Sequence, residues 1–180
     1  MVVVVIIGVL ASLAVPSIVE RLRERRSGQA AQEIAMLYRN ARLRALGQGF
    51  AVVVHYDSTN GFAVREAIPT AAGGNCFLRQ TTCQGPVWWT TAAQYRQVNS
   101  FNPDPAQIYQ AVTSTVSTLG GATTFLDVCF SPRGRAFSSA SSAQPIAPMA
   151  SAVDVAVTRG GSSQVRHVAI LPNGMARVTL

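Results

Sequence analysis

Two histidines (His55 and His167), three cysteines (Cys76, Cys83 and Cys129) and an adjacent tryptophan pair (Trp88 and Trp89) are the residues whose types could do chemistry. A histidine works as acid, base or metal ligand when a carboxylate, thiol or second imidazole stands at a suitable spacing. Neither histidine has such a neighbour in sequence, and both fall in β-rich runs, so both read as strand histidines rather than catalytic ones. Cys76 and Cys83 lie in GGNCFLRQTTCQG and can close a small loop. No other Cys/His cluster offers metal-ligand spacing, so a Cys76–Cys83 disulfide is favoured over a metal site, and it requires an oxidising compartment. Cys129, within TTFLDVCF, reads as core. Adjacent strand residues point to opposite faces, which puts one of Trp88 and Trp89 in the core and the other at the surface or an interface. Gly134 in SPRGR and Gly160-Gly161 in TRGGSS precede no helix, so they read as turns rather than phosphate loops, and G-x-S-x-G, Walker A and H-E-x-x-H patterns are absent. The expectation is a protein that is not an enzyme, with no catalytic residue, metal or cofactor.

The elements that carry these residues follow from composition. The chain has 180 residues, 48% hydrophobic and 13% charged, enough to bury a core and too apolar for a disordered polymer. All 15 cationic residues are arginine, against eight carboxylates, for a net charge of +7. That surplus favours acidic partners, although arginine-only usage also arises from GC-rich codons. From Gln48 onward eight arginines face five carboxylates, so the helical region holds more of the surplus than the rest of the chain.

Met1 to Val19, MVVVVIIGVLASLAVPSIV, carries no charge. As a helix rising 1.5 Å per residue it reaches roughly 28 Å, close to the hydrocarbon thickness of a bilayer. A cleaved secretory signal competes with this reading, because Ser12 and Ala14 form a small-x-small site, but no basic region precedes the apolar run. Helical patterning continues through ERLRERRSGQAAQEIAMLYRNARLRALGQG, with Ala30, Ile34, Leu37, Tyr38, Ala41 and Ala45 on one face. Pro16 is expected to kink the helix without ending it, and Gly47 and Gly49 to stop it. Residues 1–19 are then the membrane and assembly half of the helix, 20–48 the amphipathic half packed on a globular domain, and 49–180 an antiparallel β domain. Arg21, Arg23, Arg25 and Arg26 would hold that domain in the cytoplasm if nothing basic preceded Met1.

Beyond the helix, Phe50–Tyr56 and Phe62–Ala67 form a hairpin around Asn60-Gly61. Val87–Thr91, Gln94–Val98, Ile108–Val116, Thr123–Phe130, Val153–Thr158, Gln164–Leu171 and Met175–Leu180 are further strand candidates, with Pro172-Asn173-Gly174 turning the last pair. Residues 69–86, 99–107 and 137–152 read as surface loops suited to partner specificity.

MVVVVIIGVLASLAVPSIVERL resembles the amino-terminal helix of type IV pilins and type II secretion pseudopilins. In that family a basic leader ending in glycine precedes a segment like FTLIEL and an apolar run of this kind, with Gly8 and Pro16 at its helix-softening positions. The leader, the N-methylated phenylalanine and the glutamate are not in this sequence, and the resemblance implies that they are encoded upstream of Met1. QEIAMLYRNARLRALGQG, AVVVHYDSTNGFAVRE, VCFSPRGRAF and RHVAILPNGMARV together resemble the H-class minor pseudopilins and related fimbrial minor pilins (GspH/FimT-like).

The resemblance implies an α+β, pilin-like fold: a long N-terminal helix, transmembrane then amphipathic, packed on a mostly antiparallel β-sheet domain. It implies a single-pass inner-membrane protein with a periplasmic domain, assembling into a type IV pilus or type II secretion pseudopilus as an initiation or tip subunit. The implied partners are other major and minor pilins or pseudopilins, the inner-membrane assembly platform and, given a leader, the prepilin peptidase. Val2, Val3, Val4, Val5, Ile6, Ile7, Gly8, Val9, Leu10, Leu13, Val15 and Pro16 would form the membrane and assembly helix. Such helix exchange has little hydrophobic driving force, so packing and polar contacts must select partners. The alternative is a DNA-binding minor pilin that uses Arg133, Arg135, Arg159, Arg166 and Arg177, and scattered solvated charges compete with that reading.

Overall fold

The computed structural model describes residues 2–68, 70–71, 77–78, 81–84, 88–103, 112–141, 146–160 and 164–179; for 2–24, 70–71 and 77–78 only the backbone is described. Helix α1 spans Val2–Gln48, 47 residues, and passes through Pro16 without ending. It stops at Gly49, whose φ of 74° is a left-handed conformation that glycine adopts without strain. The Gly49 N–H closes the end on the Ala45 carbonyl at 3.2 Å. Small and apolar residues recurring every three or four positions give α1 one buried face, comprising Ala30, Ala31, Ile34, Ala35, Leu37, Tyr38, Ala41 and Ala45. Among the residues whose side chains are described, no helical segment is long and apolar enough to cross a membrane. The side chains of the predicted span, Val2 to Pro16 included, lie outside them.

The rest is antiparallel β. In chain order the strands are β1 (Val52–Asp57), β2 (Gly61–Ala67), β3 (Thr70–Ala71), β4 (Phe77–Leu78), β5 (Tyr95–Phe101), β6 (Val112–Thr118), β7 (Gly121–Thr123), β8 (Phe125–Phe130), β9 (Ala136–Ser139), β10 (Ala147–Pro148), β11 (Val153–Arg159), β12 (Arg166–Ile170) and β13 (Ala176–Thr179). They form a six-stranded sheet ordered β10-β9-β8-β1-β2-β5, a five-stranded sheet ordered β13-β12-β11-β6-β7, and the small pair β3-β4. The expected α+β class, one long helix on antiparallel sheets, is the fold observed.

The helix face, one face of each large sheet and the aromatics Phe50, Tyr56, Phe62 and Phe130 make the main core. β1 is buried on both sides: Val52, Val54 and Tyr56 enter that core, while Val53, with Ala51 just before the strand, enters a second one with Cys83, Trp88, Trp89, Cys129, Phe137 and Ile146. The unbroken Val52-Val53-Val54 run records this double burial.

Several sequence expectations are corrected. The Trp88 segment is a 3-10 turn, Trp88–Thr90, not a strand, and both indoles are buried, edge to face with centroids 5.3 Å apart. Alternation of faces holds only for extended chain, and a tight turn can aim neighbouring side chains at the same sheet. Cys83 is bonded to Cys129, not to Cys76. Cys129 faces the second core, where Cys83 also packs, whereas Cys76 lies outside the described residues. The run Thr123–Phe130 is broken at Thr124: β7 belongs to the five-stranded sheet and β8 to the six-stranded one, so the chain changes sheet across a single residue. The serine-rich segment 137–152 contains most of β9 and all of β10, because Phe137 has a core to cover. β5 runs to Phe101, into the predicted 99–107 loop, and β3 and β4 fall within 69–86. β6 begins at Val112, and 104–111 lie outside the described residues.

Candidate functional site: a basic end with two matched turns

Two hairpin turns of the same sequence type meet the end of α1. Ser131-Pro132-Arg133-Gly134-Arg135 joins β8 to β9, and Leu171-Pro172-Asn173-Gly174-Met175 joins β12 to β13. In each, the first residue donates its N–H to the fifth carbonyl, at 3.0 Å for Ser131 and 2.8 Å for Leu171. In each, the glycine N–H returns to the first carbonyl, at 2.9 and 2.7 Å. Proline presets the first corner, and glycine supplies the positive φ, 76° at Gly134 and 77° at Gly174.

Arg42 lies between them. A Cβ added to Gly174 would stand 3.0 Å from Arg42 Cδ and 3.1 Å from its Nε, and one on Gly134 would stand 3.7 Å from its Nη2. The two glycines therefore make room for one arginine. Arg42 Nε is shielded from solvent and has no hydrogen-bond partner among the described residues. One turn earlier, Arg39 donates from Nε and Nη2 to the Ala176 carbonyl at 3.0 and 2.8 Å, tying the helix to β13.

Three clefts adjoin here. The first, about 360 Å³, is lined by Arg39, Arg42, Leu43, Met175 and Arg177 among others; the second, about 460 Å³, lies between the two turns and is lined by Arg42 and Arg135; the third, about 380 Å³, includes Arg133 and Arg135. Among the described residues, no acidic one lines any of them. The structure thus brings together Arg133, Arg135 and Arg177 from the five predicted arginines and adds Arg39 and Arg42. Arg159 and Arg166 do not join them: they lie at the other end of the five-stranded sheet, with Arg166 opposite Val157 and Arg159 opposite Val112. Neither Arg39 nor Arg42 is singled out by sequence, where both count only within the charge of the helical region. The signal that could have found Arg39 and Arg42 is their place in the helix turns just before Gly49.

The described carboxylates of the β domain are engaged elsewhere. Glu66, buried on β2, pairs with Arg44 of the helix and with Arg96 at 2.9 Å. Asp57 receives the Thr59 N–H at 2.7 Å, and backbone hydrogen bonding holds its carboxyl below the usual carboxylate range. A larger groove of about 570 Å³ runs between α1 and β5, but its cation, Arg44, is the one already paired with Glu66.

Both histidines have the carboxylate that sequence spacing did not reveal. His55 and Asp127 are cross-strand partners in β1 and β8, with His55 Nδ1 2.7 Å from Asp127 Oδ1. The other oxygen, Oδ2, accepts the Trp89 indole N–H at 2.6 Å. His167 Nδ1 stands 2.8 Å from Asp154 Oδ2. Such a pair can orient an imidazole for proton transfer. Around Asp127 the third member is a buried tryptophan, so the arrangement joins β1, β8 and the 3-10 turn. Arg65 supports that turn, donating to the Trp89 carbonyl at 2.8 Å and lying 4.6 Å from the Tyr95 ring centroid.

No protein-family model matches the chain, and no curated protein matches it. Among solved structures the chain is similar to the type IV minor pilin FimU of Pseudomonas aeruginosa in two crystal forms. One is 16% identical, with 85% of this chain and 92% of that chain covered and a TM-score of 0.46. The other is 17% identical, with 87% and 89% covered and a TM-score of 0.47.

Proposed function

We propose that this chain is a minor pilin or pseudopilin, a structural subunit that assembles through its amino-terminal helix. One observation carries the reading. α1 has 47 residues, roughly 70 Å of helix, whereas the longest strands have seven residues and reach roughly 24 Å. The helix is far longer than the sheets can cover, its buried face begins, among the described side chains, only at Ser27, and the excess before that includes the uncharged run that ends at Val19. A helix built this way needs lipid or neighbouring helices for its first half. Single-pass insertion in the inner membrane, then transfer of Val2 to Pro16 into a helical filament core, satisfies that need in turn. The Cys83–Cys129 disulfide supports a periplasmic position for the β domain. The partners are other pilins or pseudopilins and the inner-membrane assembly platform, with prepilin peptidase added if a leader is encoded upstream.

Deleting the gene in its source bacterium, with surface pili, twitching and proteins released to the medium scored together, tests this. Loss of pili with normal release assigns the subunit to a type IV pilus. Loss of release with normal pili assigns it to a secretion pseudopilus, and an unchanged strain refutes assembly.

DNA binding is the second reading. Its support is the gathering of Arg133, Arg135 and Arg177 with Arg39 and Arg42, while the remote Arg159 and Arg166 count against the full set. Phosphate contacts by these residues must give duplex binding that falls steeply with salt. Absence of binding at low salt refutes it.

A further inference from the structure

We propose that the cleft between the two matched turns is a docking site for a partner protein, receiving an acidic side chain with an apolar neighbour. Two features of the wall argue for it. Arg42 comes from the helix and Arg135 from the β8–β9 turn, and among the described residues no carboxylate lines the cleft to neutralise either. The Arg42 side chain packs closely against Gly174, where an added Cβ would meet its Cδ and Nε, and its Nη2 lies near Gly134, so an arriving carboxylate meets a guanidinium seated between the two turns. The remaining wall is largely apolar, including Phe137, Pro148, Met149 and Pro172, with Gln84 and Asn173 as polar members.

This mixture decides the class of ligand. A nucleic-acid backbone offers phosphates on a convex surface and gives a proline- and phenylalanine-lined recess nothing apolar to bury. A peptide carrying glutamate or aspartate beside leucine or valine fills both halves, and about 460 Å³ holds side chains of that size. Charge complementarity acts in the same sense, because the chain carries a net +7 and its described acidic groups in the β domain are engaged elsewhere. The inference stands independently of the assembly reading.

The test uses the full chain in detergent and a short fluorescein-labelled peptide of alternating glutamate and leucine, read by anisotropy, beside its glutamine counterpart and a labelled DNA duplex. Saturable binding of the glutamate peptide, absent for the glutamine one, is expected. Arg42→Gln and Arg135→Gln should each weaken it about tenfold or more, as the loss of a charge-assisted hydrogen bond requires. Arg159→Gln, at the far end of the sheet, should leave it within about twofold. Arg135 is exposed, so its variant carries the test even if Arg42→Gln perturbs folding. No saturable binding of the glutamate peptide at low salt overturns the proposal, as does binding indifferent to Arg135→Gln. Duplex binding that depends on Arg42 and Arg135, without glutamate-peptide binding, overturns it in favour of nucleic acid.

Discussion

His55–Asp127 and His167–Asp154 contain the same two groups at nearly the same separation, 2.7 and 2.8 Å, on neighbouring strands of different sheets. Their settings differ. The His55 and Asp127 side chains are 12% and 4% exposed, and Asp127 also holds the Trp89 indole, whereas His167 and Asp154 are both 39% exposed. Water competes for the second pair and solvates either partner if the other is lost. In the first pair, removing the carboxylate leaves an imidazole and an indole N–H without an acceptor inside the second core. Identical chemistry is therefore a fastener in one place and a surface contact in the other, and burial decides which.

The contrast can be broken by mutation, with urea midpoints at constant slope as the measure. Asp127→Ala should cost the most, about 3–5 kcal/mol, because two donors lose their partner in a dry site. A shift no larger than that of Asp154→Ala would end the comparison. Cys83→Ser should cost about 2–4 kcal/mol under non-reducing conditions, since the Cys83–Cys129 bond closes a separation of 46 residues and pins the segment that carries the tryptophans. Reductant should destabilise the parent chain to the same extent and leave the variant unchanged. Trp89→Phe keeps most of the buried area but removes the bond to Asp127 Oδ2, and about 1–2 kcal/mol should be lost. In the Asp127→Ala background the same change should cost measurably less, as a double-mutant cycle reads. Asp154→Ala should cost under about 1 kcal/mol.

A fifth test sharpens what burial alone does to a polar group. The Tyr38 hydroxyl is shielded without a hydrogen-bond partner among the described residues, and burial pushes its titration far above the ordinary range. Tyr38→Phe keeps the edge-on packing against Phe62 and discards the orphan oxygen. Its urea midpoint should stay level or rise, the opposite sign from the other four variants.

Local signals in the sequence carried the α+β class. The Ala30/Ile34/Leu37/Tyr38/Ala41/Ala45 stripe is buried throughout, and Asn60-Gly61 and Pro172-Asn173-Gly174 turn the chain where their types require. What escaped was long-range register. His55 and Asp127 are 72 residues apart and become neighbours only when β1 pairs with β8. The same pairing sets Cys129 on the face that Cys83 covers, so proximity in sequence favoured the wrong partner, Cys76. Thr124 gave no warning of a sheet change, because a corner one residue long interrupts no hydrophobic pattern. Arg39 and Arg42 were legible as helix residues but not as part of a basic end, since the two turns that meet them lie in the later half of the β sequence, far along the chain from the helix.

The arginine ties between α1 and the sheets bear on how the molecule would carry tension. Arg39 grips β13 of the five-stranded sheet, and Arg44, through Glu66, grips β2 of the six-stranded sheet. Each sheet thus has its own anchor on the same helix, five positions apart. A pull along the helix axis loads both anchors side by side rather than one after the other, and sliding the helix out requires both to shear at once. A shaft fixed in this way passes force to the whole domain instead of peeling off one sheet.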